Sequence, residues 1–93
     1  MSGQAISGEH EIVNDLGLHA RAASKLVALA NKFEADVWVG RASGDEVNAK
    51  SILGVLMLAL AKGAKLTLRC EGGDAKEAYG EISALVADGF GEL

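Results

Sequence analysis

The sequence predicts an α+β fold, a two-layer open-faced sandwich of four mainly antiparallel strands covered by three helices in the order β-α-β-β-α-β-α. Three observations carry this. Short segments of alternating polarity sit beside longer segments of helical period. The connections between them are short and rich in Gly, Asn and Asp. The order, with two strands in succession between helices, builds one sheet with helices on a single face.

The first strand is expected at "EHEIV", residues 9–13, which alternates polar and apolar side chains. Residues 1–8 are small and polar and read as a flexible arm, leaving 9–93 as one domain. "NDLG" then makes a turn. From Ala20 to Phe33 the apolar residues Ala22, Leu26, Leu29, Ala30 and Phe33 share one helical face. Ser24, Lys25, Ala28, Asn31 and Lys32 lie largely off it.

"ADVWVGR", 35–41, gives the second strand, with Val37 and Val39 on one side and Trp38 on the other. "ASGD" turns the chain into a short return strand, "EVNA", 46–49. Ser51 is a good N-cap and Gly63 a good residue just beyond a helix end, so the second helix is expected between them. "AKLTLRC", 64–70, is the fourth strand, with Ala64, Leu66, Leu68 and Cys70 facing the core. The last helix follows Asp74, with Glu77 three places on completing a capping box, and with Ala78, Ile82, Leu85 and Val86 as its buried stripe.

The second helix has an excess of apolar residues. Ile52, Leu53, Val55, Leu56, Met57, Leu58 and Leu60 surround it, whereas a helix on a two-layer domain buries only part of its circumference. Some of these side chains should face water, as at a docking surface.

Composition narrows the function classes. The net charge of −4 argues against nucleic acid as a bulk electrostatic partner. One cysteine permits no internal disulfide and fits a reducing, cytoplasmic setting. The longest apolar run, Ile52 to Ala61, is half of the roughly 20 residues a membrane span needs, so no membrane insertion is expected. No metal-ligand spacing occurs, no cofactor is implied, and a monomer is expected. His10 and Cys70 read as ordinary strand and core residues.

The stretch "NDLGLHARAASKL" places His19 at the mouth of the first helix. Backbone N–H groups of a first helical turn lack intrahelical partners, and the positive end of the helix dipole lies there. Arg21 adds forked donors suited to phosphate oxygens. This positive setting favours neutral imidazole, which is a nucleophile. A nucleophilic nitrogen within an anion site can accept a phosphoryl group and hold it.

"GLHARAASK" together with "NAKSILG" resembles HPr, the histidine-containing phosphocarrier family of the bacterial phosphoenolpyruvate-dependent phosphotransferase system. The resemblance runs from about residue 9 to residue 90. It implies that His19 is phosphorylated on Nδ1 by enzyme I, with Arg21 and the backbone of Ala20 and Arg21 steadying the phosphate. It implies transfer onward to A-type components of a sugar permease. Ile52, Leu53, Leu56 and Met57, with Ser24, Lys25 and Ala28, would form the shared docking face. Ser51 would be a regulatory site for an HPr serine kinase/phosphorylase, beside its role as a cap. Ala22 stands where the family usually has proline, which removes stiffness next to His19 while preserving the helix.

Such a chain is a carrier with a covalent phosphohistidine intermediate rather than a free-standing enzyme. The sequence shows no second acid or base at useful spacing from His19. Two other readings stand beside it. One is a regulatory HPr-like protein of a nitrogen-type or incomplete phosphotransferase system. The other is an unphosphorylated interaction module in which His19 merely caps the helix.

Overall fold

In the computed structural model, which describes residues 4–93, β1 (Gln4–Glu11) lies at one edge of a four-stranded sheet and β3 (Glu46–Asn48) at the other. Between them run β4 (Lys65–Gly72) and β2 (Asp36–Arg41), giving the order β1-β4-β2-β3 with every pair antiparallel. The helices α1 (Ala20–Ala30), α2 (Ile52–Met57) and α3 (Ala75–Ala87) complete the expected order, and a short 3-10 turn, Gly89–Gly91, follows α3.

Strand alternation sets the core. Val37 and Val39 of β2 and Leu66, Leu68 and Cys70 of β4 are buried together. Ala22, Ala23, Leu26 and Ala30 of α1 and Ala75, Ala78, Ile82 and Val86 of α3 pack over them. Burial pushes the Cys70 thiol up to about 11, in keeping with a core residue. On the open face, the Arg69 guanidinium lies 5.4 Å from the Trp38 ring and pairs with Glu46 and Glu71. That pairing gives Trp38 a structural role on the strand face opposite Val37 and Val39.

Four expectations need correction. The arm assigned to residues 1–8 is strand from Gln4 onward, because each of residues 4–11 pairs with β4, from Gln4 opposite Gly72 to Glu11 opposite Lys65. Residues 1–3 lie outside the described residues. The first helix stops at Ala30 rather than Phe33, with Asn31 as its C-cap.

The second helix is far shorter than the span from Ser51 to Gly63. It ends at Met57, and Ala59 takes a left-handed φ of 50°. The chain then turns inward. Leu58 and Leu60 are buried beyond the helix, which accounts for part of the apolar excess without a long helix.

The capping box at α3 does not form. Asp74 is the N-cap residue but makes no side-chain cap bond. Its carboxylate instead accepts from the backbone N–H of Glu34 and of Ala35, at 3.0 and 2.8 Å. Those bonds tie the entry to β2 to the start of α3 and hold the Asp74 carboxyl below its ordinary range.

Candidate functional site

The loop from Asn14 to His19 positions the site. The Gly17 N–H donates to the Asn14 carbonyl at 3.1 Å, closing a turn, and Leu18 N–H donates to the Leu60 carbonyl at 2.8 Å. Gly17 has φ +66°, and a Cβ there would meet Leu60 O at 2.4 Å. Only glycine fits both the left-handed backbone and that close approach. The turn therefore rests on the segment that follows α2 and delivers His19 to the start of α1.

His19 is the N-cap of α1, with extended backbone. Its Nδ1 accepts from the Arg21 backbone N–H at 3.4 Å, so this nitrogen faces the first-turn amides. Ala20 and Arg21 are exposed at that turn, and Ala22 is buried beneath it. Ala22 is buried at this turn, and the high helix propensity of alanine lets α1 start there without proline.

Glu92 was not anticipated. Its Oε2 lies 2.5 Å from His19 Nε2, and the two side chains are largely shielded, 24% and 14% exposed. Asn14, fully buried, donates from Nδ2 to Glu92 Oε1 at 2.9 Å and to the Gly17 carbonyl at 2.8 Å. The hydrogen bonds from Asn14 and His19 hold the Glu92 carboxyl below the usual carboxylate range. Glu92 is 73 positions from His19, so spacing along the sequence gives no sign of it. The purely positive setting expected around the imidazole is thus corrected by a carboxylate on its far nitrogen. Asn14 showed in the sequence only as a turn residue.

The Gly89–Gly91 turn brings Glu92 there. Phe90 is buried with φ 56°, unusual for a bulky residue. Lys25 Nζ donates to its carbonyl at 2.6 Å. Asp15, Leu16, Arg21, Lys25, Gly91 and Glu92 line a shallow cleft beside the imidazole.

All of the expected docking residues except Leu56 are exposed. Ile52, Leu53 and Met57 are 41, 67 and 70% exposed, with Leu56 half-buried between them. Ser24, Lys25 and Ala28 are exposed on α1, which packs against α2. Leu16, 68% exposed, adds an apolar side chain at the cleft that the helical patterns did not mark. Ser51 caps α2, its Oγ accepting from the Gly54 N–H at 3.4 Å, and it is exposed. Lys50, beside it, donates from Nζ to the Phe33 carbonyl at 2.7 Å.

His10 stands apart on β1, its Nε2 2.8 Å from the Tyr79 hydroxyl. Among the described residues, no group of three or more histidine, cysteine, aspartate or glutamate side chains is arranged to hold a metal ion. Among them, no helix is long and apolar enough to cross a membrane.

Residues 6–88 match the PTS-HPr family, described as "PTS HPr component phosphorylation site". A phosphocarrier protein HPr from Cupriavidus necator is 49% identical over 87% of this chain and 90% of its own. A phosphocarrier protein NPr from Escherichia coli K12 is 40% identical over 88% and 91%. The crystal structure of an HPr from Thermoanaerobacter tengcongensis superposes with a TM-score of 0.89 at 39% identity, covering 95% of this chain and 98% of that one.

Proposed function

The chain belongs to the HPr family of the phosphotransferase system, and from that premise we propose that His19 is its phosphoryl acceptor, taking the group from phospho-enzyme I and passing it to A-type permease components in sugar uptake. One observation supports this above the others. His19 Nδ1 is turned toward the Arg21 N–H at the start of α1. A phosphoryl group on that nitrogen would meet first-turn amides, the positive helix end and the Arg21 side chain. The amide that now donates to Nδ1 would donate to a phosphate oxygen instead.

The transfer needs little from this chain beyond placement. A P–N bond forms to Nδ1 as the donor's P–N bond breaks, and the donor nitrogen keeps the electron pair. The apolar patch of Ile52, Leu53, Leu56 and Met57, next to Ser24, Lys25 and Ala28, would seat both donor and acceptor, which complete the site in turn. Such a carrier works in the cytoplasm.

Ser51 would carry the regulatory mark of an HPr serine kinase/phosphorylase. A phosphate there is compatible with the helix start but sets a dianion beside Ile52 and Leu53. It would weaken docking by desolvation and charge.

A second reading keeps the chemistry and changes the output. The NPr relative favours it: the chain would then signal by its phosphorylation state rather than feed a sugar permease. One experiment separates the two. The protein is labelled with enzyme I and phosphoenolpyruvate, then chased with an A-type sugar component. Label that moves to the component supports transport. Label that enters His19, stays there when the sugar component is added and moves when a nitrogen-type A component is added favours the regulatory reading. No label in the wild type would refute both.

A further inference from the structure

Glu92 lies outside the residues matched to the family, so its contact with His19 is a feature read from this chain's own geometry. We propose that Glu92, held by Asn14, is the positioning residue that keeps a proton on His19 Nε2 through both halves of phosphoryl transfer. This deepens the carrier reading and rests on it.

The two imidazole nitrogens are approached by opposite kinds of group. The Arg21 N–H is a donor and points at Nδ1, which must therefore offer its lone pair. The Glu92 carboxylate is an acceptor at 2.5 Å from Nε2, which must therefore carry the hydrogen. A ring nitrogen's protonation is set by the bond the other nitrogen makes, as with a carboxylate behind a reactive histidine. Asn14 makes the arrangement durable. It is fully buried and has two donors, one on the Gly17 carbonyl and one on Glu92 Oε1. It thereby locks the carboxylate to the same turn that delivers His19.

The consequence is clearest when the group leaves. On acceptance, Nδ1 supplies the electron pair for the new P–N bond, and the ring, still protonated at Nε2, becomes cationic. Glu92 offsets that charge. On donation the P–N bond breaks, its electron pair returns to Nδ1, and the ring departs as neutral imidazole because Nε2 has kept its proton. Without that proton the leaving group would be imidazolate, a far poorer one. No proton has to be gained or lost in either step.

Other charged groups at the cleft are Arg21 of α1, whose charge also helps to hold the Glu92 carboxyl low, and Asp15 and Lys25. Lys62 pairs with Asp15 at 2.7 Å, and Lys25 is engaged with the Phe90 carbonyl. Glu92 is the acid in contact with the imidazole.

The test is a pair of variants in the full chain, Glu92→Gln and Asn14→Ala. Glutamine keeps the size but has one acceptor oxygen and no charge, so it cannot serve both Asn14 and Nε2. Each phosphorylated protein is mixed with an acceptor A-type component, and transfer is followed against pH, with spontaneous loss of phosphate read in parallel by 31P NMR. For Glu92→Gln the expected result is transfer slowed about tenfold at neutral pH, the scale typical of losing such a supporting carboxylate. Its fall-off on the alkaline side should begin at lower pH than in the wild type. Asn14→Ala should move the same profile in the same direction by less. Equal rates and superimposable pH profiles would overturn the proposal. So would a slower Glu92→Gln with an unmoved profile, since that would place Glu92 in partner docking. A wild type that takes no phosphoryl group at all would remove the carrier reading and this inference with it.

Discussion

Lys25 Nζ donates to the carbonyl of Phe90 at 2.6 Å, so a residue of the expected docking face also anchors the turn that brings Glu92 to His19. Lys25→Met keeps the aliphatic stem and deletes the donor. We expect it to destabilise the protein by about 1 kcal/mol, the net value of one such hydrogen bond. The more specific effect is local. The Gly91 and Glu92 amides, bonded to the Asp88 and Gly89 carbonyls, should exchange with solvent faster, while β4 amides are unaffected. Hydrogen exchange read residue by residue checks this.

Gly17→Ala combines a left-handed backbone with a Cβ 2.4 Å from Leu60 O. Strain and clash together should cost about 1–3 kcal/mol. Because the turn carries His19, phosphoryl acceptance should fall beyond what the unfolded fraction explains. Urea denaturation and labelling rates on one sample separate the two effects.

Leu53→Glu places a charge in the middle of the apolar patch, at a side chain 67% exposed. Stability should change by no more than about 0.5 kcal/mol, as at other exposed positions. Transfer from enzyme I should show a KM raised about tenfold or more with kcat little altered, since docking and not chemistry is disturbed. Steady-state kinetics with varied carrier concentration gives both constants.

Asp74 gives a pH dependence. Hydrogen bonds from the Glu34 and Ala35 amides hold its carboxyl below the ordinary aspartate value of 3.8. The folded state thus binds this proton less readily than the unfolded chain. The stability it contributes is fully present above 3.8 and is lost as pH falls through the lower, folded value. Asp74→Asn should lower stability at neutral pH and flatten the acid limb of the curve. Thermal unfolding from pH 7 down to about pH 2 tests this, that range spanning the ordinary carboxylate value.

Much of this was legible in the sequence because it rests on short-range physics. The alternation at Val37 and Val39, the periodicity of α1 and the turn residues at "NDLG" and "ASGD" set the order of elements and the sheet. His19 and Arg21 could be placed because a helix start and its cap are local. What was not legible depends on contacts distant in sequence. Glu92 reaches His19 only through the strained Phe90 turn and the buried Asn14. The extension of β1 to Gln4 comes from pairing with β4, and of residues 4–8 only Ile6 carries a strand signal of its own. The early end of α2 was hidden because Leu58 and Leu60 look the same in a helix as in a chain folding back on the core. Asp74 resembled a helix cap, but the Glu34 and Ala35 amides claimed its carboxylate.

The most direct test of the account is whether His19 itself takes the phosphoryl group. The wild type, His19→Ala and His10→Ala are each incubated with enzyme I and phosphoenolpyruvate and weighed intact before and after mild acid. One acid-labile phosphoryl adduct is expected on the wild type and on His10→Ala, and none on His19→Ala. An adduct that survives on His19→Ala, or a wild type left unmodified by an enzyme I that labels another HPr, would contradict it.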